Sequence, residues 1–174
     1  MICLFFIFVW MPKWYIKNTA ALLSPEIATL LNQLGDSALQ TSDIPVASVL
    51  AYDGRVIGQG YNTALRNNRV EEHAEINAIS NGIRRMGLSS FHALDRKKLV
   101  LITTWEPCKM CEGAILETSI SNVIVVKPKS TKHWFSQWKK KFIYQWNKQV
   151  TNSDSLQINL FRRHPLYDEN KVNL

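Results

Sequence analysis

Hydrophobic positions recur with two different periods along this chain, and their succession outlines a fold. From Pro25 the apolar residues Ile27, Leu30, Leu31 and Leu34 keep to one side of a helix. Ser24 as cap, Pro25 at the first helical position and Glu26 in the first turn mark its start, and the pattern predicts a helix over 25–39, weakened a little by Gly35. Two apolar runs, 46–51 and 56–61, flank Tyr52-Asp53-Gly54-Arg55, which predicts an antiparallel hairpin. Asn62 follows it, in a loop rich in Asn and Arg (Arg66, Asn67, Asn68, Arg69) that leads to Glu71-Glu72-His73. Helical spacing returns at Ala74, Ile76, Ala78, Ile79 and Ile83, predicting a helix over 72–85 that Gly87 stops, with His73 in its first turn. The continuous apolar run 99–103 reads as a central strand covered on both faces. Pro107 opens a third helix to about residue 118, and 122–126 reads as another buried strand.

Beyond residue 130 the helical period takes a different form. Trp134, Trp138, Phe142 and Trp146 fall at every fourth position of 131–148, so one helix face is aromatic while lysines and glutamines occupy the rest. Residues 156–160 read as a last strand, and a helix of this length between two strands allows them to run parallel. The tail 162–174 carries no pattern. Helix, hairpin, helix, strand, helix, strand, helix, strand is an α/β order, and it predicts a mixed five-stranded sheet inside a three-layer α/β/α sandwich. A chain of 174 residues suits one such domain, placed at 24–161, and no internal repeat or low-complexity segment divides it.

Composition changes this picture in two places. Residues 1–23 begin with MICLFFIFVW, an apolar run shorter than the roughly 20 residues a membrane helix needs and without the basic start of a secretory signal. Either translation starts downstream, for which Met11 is a candidate, or the run is an apolar arm packed on the protein; a signal or anchor ranks below both, so no membrane association is expected. The net charge is +7, and the excess is local: residues 127–148 hold seven lysines and no acid, leaving 14 basic against the chain's 14 acidic residues. A single basic stretch points to a local polyanion-facing surface more than to a generally basic protein.

The chemistry is carried by His73, Glu75, Cys108 and Cys111. One imidazole and two thiolates supply three ligands to a tetrahedral zinc and leave a fourth position open for water, whose pKa such a metal lowers from about 15.7 to roughly 7. Glu75 lies two residues beyond His73, near enough to take and return a proton without binding the metal. Each half alone is weak. Cys-x-x-Cys is also the pattern of a redox pair, half a structural zinc knuckle or two core thiols, and His-x-Glu recurs on surface helices by accident. Together, in this order and with Pro107 directly before Cys108, they match the signature His-x-Glu…Pro-Cys-x-x-Cys of zinc-dependent base deaminases. Both halves fall at predicted helix starts, where the dipole favours thiolate. The third cysteine is Cys3, which leaves no disulfide framework and fits a reducing cytoplasm.

Over about residues 25–126 the chain resembles the cytidine-deaminase-like superfamily, in the branch that holds bacterial tRNA adenosine deaminases and guanine deaminases. IPVASVLAYDGRVIGQGYN (44–62), HAEINAI (73–79) and TWEPCKMCEGAI (104–115) carry the resemblance, and Glu-Pro-Cys-x-Met-Cys-x-Gly-Ala is similar to the purine-deaminating branch. The resemblance implies one zinc per chain on His73, Cys108 and Cys111, with Glu75 as proton shuttle. It further implies that Asn62 hydrogen-bonds the substrate, that the Ala74 N–H and Pro107 carbonyl contact the base and its amino group, and that the protein is a homodimer. Read from the residues alone, the alternative for Asn62, ranked second, is a loop-capping side chain. Three features depart from the family: Val70-Glu71-Glu72 replaces a short Pro-Thr or small-residue lead, Trp105 stands where tRNA enzymes commonly carry Leu, and the region from Lys127 onward is different.

Three functions follow. The first is hydrolytic deamination of adenosine to inosine in tRNA, with the target nucleotide unpaired or flipped; lysines of 127–148 would meet phosphates and its rings would stack on bases. The bland alternative for that helix is an aromatic stripe packed on the sheet with a solvated lysine face. The second function is deamination of a free nucleobase or nucleoside (guanine, adenosine or cytidine), the aromatic helix closing the pocket. The third is a catalytically silent zinc module that binds nucleic acid or a partner, against which Glu75 argues, since a closed structural site has no use for an acid there.

Overall fold

The computed structural model describes residues 23–129, 131–149, 157, 160, 162 and 163, with 131–135 as backbone only. The apolar segment 1–22 and most of the tail lie outside the described residues. Two compact units divide the chain, Met1–Lys129 and Ser130–Leu174.

In the first unit, α1 spans Pro25–Gln40 and starts where the Ser24 hydroxyl accepts the Ile27 N–H at 3.3 Å. Its buried side is Leu31, Leu34 and Ala38. Strands β1 (Ala47–Tyr52) and β2 (Arg55–Tyr61) form the hairpin around Asp53 and Gly54, both at positive φ (49° and 78°), the two-residue turn that Asp-Gly favours. A short helix α2 (Ala64–Asn67) lies within the Asn/Arg loop, ahead of α3 (Ala74–Met86), which ends at Gly87 with φ 85°. After α4 (Leu88–His92) and a 3₁₀ turn come β3 (Leu99–Trp105), α5 (Lys109–Glu117) and β4 (Asn122–Lys127).

The sheet order is β2-β1-β3-β4, with β1 antiparallel to both neighbours and β4 parallel to β3. Successive side chains of a strand point to opposite faces, and the two cores follow from that alternation. Leu50, Leu99 and Leu101 pack with Ala78, Ile79, Phe91, Ile115 and Ile120 on one face; Ala47, Val49 and Ile102 pack with Leu31 and Leu34 on the other. Helices thus cover both faces, as the three-layer reading predicts.

Two expectations are corrected. Among the described residues the sheet has four strands, not five. Gln157 and Leu160 are helical, while the rest of 156–160 lies outside the described residues. Leu156 and Leu160 are as far apart as one helical turn, and a short apolar run is ambiguous between helix and strand by period alone. The second correction is β4, read as buried. It ends the sheet and leaves Asn122, Val123, Val126 and Lys127 exposed, because an apolar run looks the same in sequence at a sheet's centre and at its edge.

The second unit contains α6 (Thr131–Asn147). The rings of Trp138, Phe142 and Trp146 stack in sequence, 6.0 Å between successive centroids and 22° and 26° between planes, as their four-residue spacing dictates. No helix among the described residues is long and apolar enough to cross a membrane.

The contact that sets the position of α3 is made by glycines. A Cβ on Gly60 would lie 2.5 Å from the Ala78 nitrogen and 2.7 Å from the Ala74 carbonyl oxygen, and one on Gly58 would lie 2.2 Å from the Ala78 carbonyl oxygen. The backbone of β2 therefore touches the backbone of α3 directly. Gly60→Ala must push the start of α3 away from the sheet, and about 1–3 kcal/mol of stability is expected to be lost in denaturant melts. Zinc binding should weaken with it, because His73 immediately precedes that helix.

Candidate metal centre

Each ligand-bearing segment is an extended residue that enters a helix. His73 is the cap of α3 (φ −79°, ψ 156°) and Cys108 the cap of α5 (φ −79°, ψ 172°). Both elements begin slightly later than predicted: His73 precedes its helix instead of lying in the first turn, and Pro107 stands two residues ahead of α5. The reason is geometric, since an extended cap lets a side chain fold across the helix's N-terminal end. Cys111, in the first turn of α5, is fully buried.

The three ligand atoms form a nearly regular triangle. Cys108 Sγ lies 3.7 Å and Cys111 Sγ 3.6 Å from His73 Nδ1, and the two sulfurs are 3.6 Å apart. A tetrahedral zinc with bonds of about 2.3 Å to sulfur and about 2.0–2.1 Å to nitrogen separates its ligands by roughly 3.6–3.8 Å. The set fits zinc in donor type and in spacing, and three donors leave the fourth direction unclaimed.

Charge is unevenly shared in this cluster. The hydrogen bond with Cys111, helped by the N–H groups of Cys111 and Met110 and by the His73 imidazole, brings the Cys108 thiol down to about 4 despite partial burial. Cys111 moves the opposite way: its hydrogen bond with Cys108, its burial and the Glu75 carboxylate keep it protonated. Without metal the pair therefore holds one proton and one negative charge. Zinc binding at pH 7 is expected to expel about one proton from the thiol pair, read as buffer acidification on titration with the metal; release of two would contradict this charge assignment.

Glu75 is 3 % exposed, and Cys111 Sγ donates to its Oε2 at 3.5 Å. Burial, and secondarily the charge on Cys108, hold this carboxyl above the usual Glu range, against the hydrogen bonds from its own N–H and from Cys111. The sign of the linkage follows. A carboxyl with a raised folded pKa supports the fold fully only below its unfolded value, roughly 4.3, and loses that support as pH rises through the folded value. Metal-free Glu75→Gln protein is accordingly expected to melt higher than wild type at pH 7–8, with the difference vanishing towards pH 4.

The remaining predicted residues surround the cluster in sequence. Asn62 is 3 % exposed, and its Oδ1 accepts the Ala64 N–H at 3.0 Å, the loop-capping role. Ala74, the first residue of α3, is fully buried, and Pro107 is buried. Among the described residues the Ala74 N–H finds no acceptor and the Pro107 carbonyl no donor.

Four side chains escaped the sequence reading. Asn77 donates from Nδ2 to the Tyr61 carbonyl (2.9 Å) and to Thr63 Oγ1 (3.1 Å), fastening the end of β2 to the start of α3. Thr63 in turn donates to Glu72 at 2.6 Å. Buried Asp43 accepts the Leu65 and Arg66 N–H groups at 2.8 and 3.1 Å and the Thr41 hydroxyl at 2.8 Å. Burial alone would raise its pKa, but these donors outweigh it and lower it. Asn77 alone had a sequence signal, a polar residue between buried Ala74 and Ala78.

Comparison with known proteins agrees with this geometry. The family described as "Cytidine and deoxycytidylate deaminase zinc-binding region" matches residues 26–127. The tRNA-specific adenosine deaminase of Haemophilus influenzae is 37% identical over 93 residues, 53% of this chain and 51% of that protein. That of Streptococcus pyogenes serotype M18 is 37% identical over 89 residues, 51% and 53% of the two chains. The chain thus spans about half the length of these relatives. Among solved structures, one from studies of A-to-I editing by tRNA:A34 deaminases is similar at 30% identity and TM-score 0.52, covering 60% of this chain and 76% of that one. The guanine deaminase of Bacillus subtilis is similar at 26% identity and TM-score 0.60, covering 82% and 97%.

Proposed function

The chain belongs to the family of the cytidine and deoxycytidylate deaminase zinc-binding region, and from that membership we propose that it is a hydrolytic deaminase converting adenosine to inosine in tRNA. The observation that carries the reading is Glu75, a buried carboxyl whose Oε2 lies 3.5 Å from the ligand sulfur of Cys111. A site built only to hold a structural metal has no role for such an acid.

Zinc held by His73, Cys108 and Cys111 supplies Lewis acidity, which makes water a competent nucleophile near neutral pH. The chain's own residues handle position and protons. Glu75 takes a proton from the attacking water and delivers it to the ring nitrogen beside the amino-bearing carbon. It then takes the remaining proton from the oxygen now bonded to that carbon and delivers it to the amino group, which leaves as ammonia, so that water and base become the keto base and ammonia. In the metal-free chain burial holds the Glu75 carboxyl above the usual Glu range, the direction that suits a proton carrier, while the charge of a bound zinc would act against it. The Ala74 N–H and Pro107 carbonyl, which have no partner among the described residues, offer one donor and one acceptor for a purine edge and its amino group. In this reading the Asn62 Nδ2 donates to the substrate while Oδ1 keeps its capping bond.

The tRNA relatives support a polynucleotide substrate, and Lys139, Lys140, Lys141 and Lys148 with the Trp138-Phe142-Trp146 ring stack of the second unit are a surface that fits one. We take the working assembly to be a cytoplasmic homodimer. A second reading, a guanine or related free-base deaminase, is favoured by the greater share of the chain that the B. subtilis guanine deaminase matches. Zinc-loaded protein incubated with unmodified tRNA and, separately, with free nucleobases and nucleosides decides between them. Inosine in tRNA alone is the expected result; ammonia from small molecules alone would transfer the reading to a free-base enzyme.

A further inference from the structure

The ten residues between Asn62 and His73 form a loop whose two ends meet at one carboxylate. Glu72 Oε2 accepts the Thr63 hydroxyl at 2.6 Å and the Asn67 side-chain amide, and the Glu72 backbone carbonyl accepts the Thr63 N–H at 3.0 Å. Asn77 closes the ring from α3: its Nδ2 reaches Thr63 Oγ1 at 3.1 Å and the Glu72 carbonyl at 3.4 Å. The Thr63 hydroxyl has one proton, and with Asn77 donating to its oxygen that proton goes to Glu72, so the rotamer is fixed. Asp43 separately holds the Leu65 and Arg66 amides. Arg69 also reaches Glu72, at 3.3 Å, but its side chain is 60% exposed and a solvated pair of that kind contributes little.

Asn62 is the residue before Thr63, and His73 is the residue after Glu72. From this arrangement we infer that Glu72 is a positioning residue: its carboxylate sets the candidate substrate ligand Asn62 and the metal ligand His73 at a fixed separation, touching neither substrate nor metal. The role of Asn62 rests on the deaminase reading; the bracing of the loop does not. Without the carboxylate the Thr63 hydroxyl and the Asn67 amide lose their common acceptor, and that end of residues 63–68 is held only by the Thr63 N–H bond to the Glu72 carbonyl and by Asn77.

The test uses the full chain loaded with zinc, as wild type, Glu72→Ala, Glu72→Gln, Thr63→Val and the double variant Glu72→Ala/Thr63→Val. Amide hydrogen exchange over residues 63–68 should quicken at least about tenfold in Glu72→Ala, which removes two hydrogen bonds to a charged acceptor. In the assay that detects turnover, KM should rise about tenfold while kcat stays within about threefold. Glu72→Gln keeps an oxygen that accepts from both partners, so exchange and KM should return to near wild type. The double variant should lose less than the sum of the two single variants, because both changes remove the Thr63–Glu72 bond while each also removes one of its own. Unchanged exchange in Glu72→Ala would overturn the inference, as would a lower melting temperature with exchange and KM at wild-type values, the mark of a purely structural role. Should wild type turn over neither tRNA nor any free base, the deaminase reading fails, and the exchange of Glu72→Ala alone still decides whether the carboxylate braces the loop.

Discussion

Glu75→Gln is expected to bind one zinc per chain with undiminished affinity and to lose turnover by roughly a hundred- to ten-thousand-fold, the span attributed to a positioned acid–base group. The geometry requires both halves of that result. Glu75 does not belong to the ligand triangle, so the isosteric amide leaves the three donors where they are. It does lie beside that triangle, buried, with a pKa already moved upward, and no other carboxyl among the described residues is buried beside His73, Cys108 and Cys111. The upper end of the range is expected because, in the proposed mechanism, the same carboxyl serves two transfers, to the ring nitrogen and to the leaving amine. Measured kcat/KM beside zinc content separates the outcomes. Full activity in the variant would remove Glu75 from the chemistry, and loss of zinc together with activity would make it a ligand or a support for one.

Replacing Cys108 or Cys111 by alanine should have the largest effect on metal retention. Changing groups that only support a ligand costs 10- to 100-fold in metal affinity, so removal of a ligand itself should exceed about a hundredfold and bring activity to background. The two substitutions are not equivalent in the metal-free protein. Cys108 carries the negative charge of the pair and Cys111 its proton, inside a fully buried position. Cys108→Ala therefore removes a charge from beside Glu75 and should relax the carboxyl towards its usual range, whereas Cys111→Ala opens a small void and removes a donor to Glu75. Competition against a chromophoric chelator measures the affinity. Retention of tight zinc in either variant would mean that the metal is held by other groups.

The core of this fold was legible because two local rules operated without competition. Strong cap chemistry at Ser24-Pro25 and a two-residue turn at Asp53-Gly54 fixed α1 and the hairpin to within a residue or two. The candidate ligands were legible because a metal needs donors of specific type, and the chain has only four histidines and three cysteines, two of them in Pro-Cys-x-x-Cys. The failures have physical causes as well. The fifth strand at 156–160 rests on a run too short to distinguish periods, and β4 differs because strand burial depends on neighbours supplied by topology. Helix α4, with fully buried Phe91, lacks the length over which an apolar stripe becomes visible. Above all, the braces Asp43, Thr63, Glu72 and Asn77 were invisible because polar residues in a loop acquire meaning only from their partners, and those are up to 23 residues distant.

The most direct test of the central claim is X-ray absorption at the zinc edge of the loaded protein. Two sulfurs at about 2.3 Å and two nitrogen or oxygen donors at about 2.0–2.1 Å are expected, one from His73 and one from solvent, with the same shell in Glu75→Gln. A shell with fewer than two sulfurs, or one that changes when Glu75 becomes glutamine, would contradict the account.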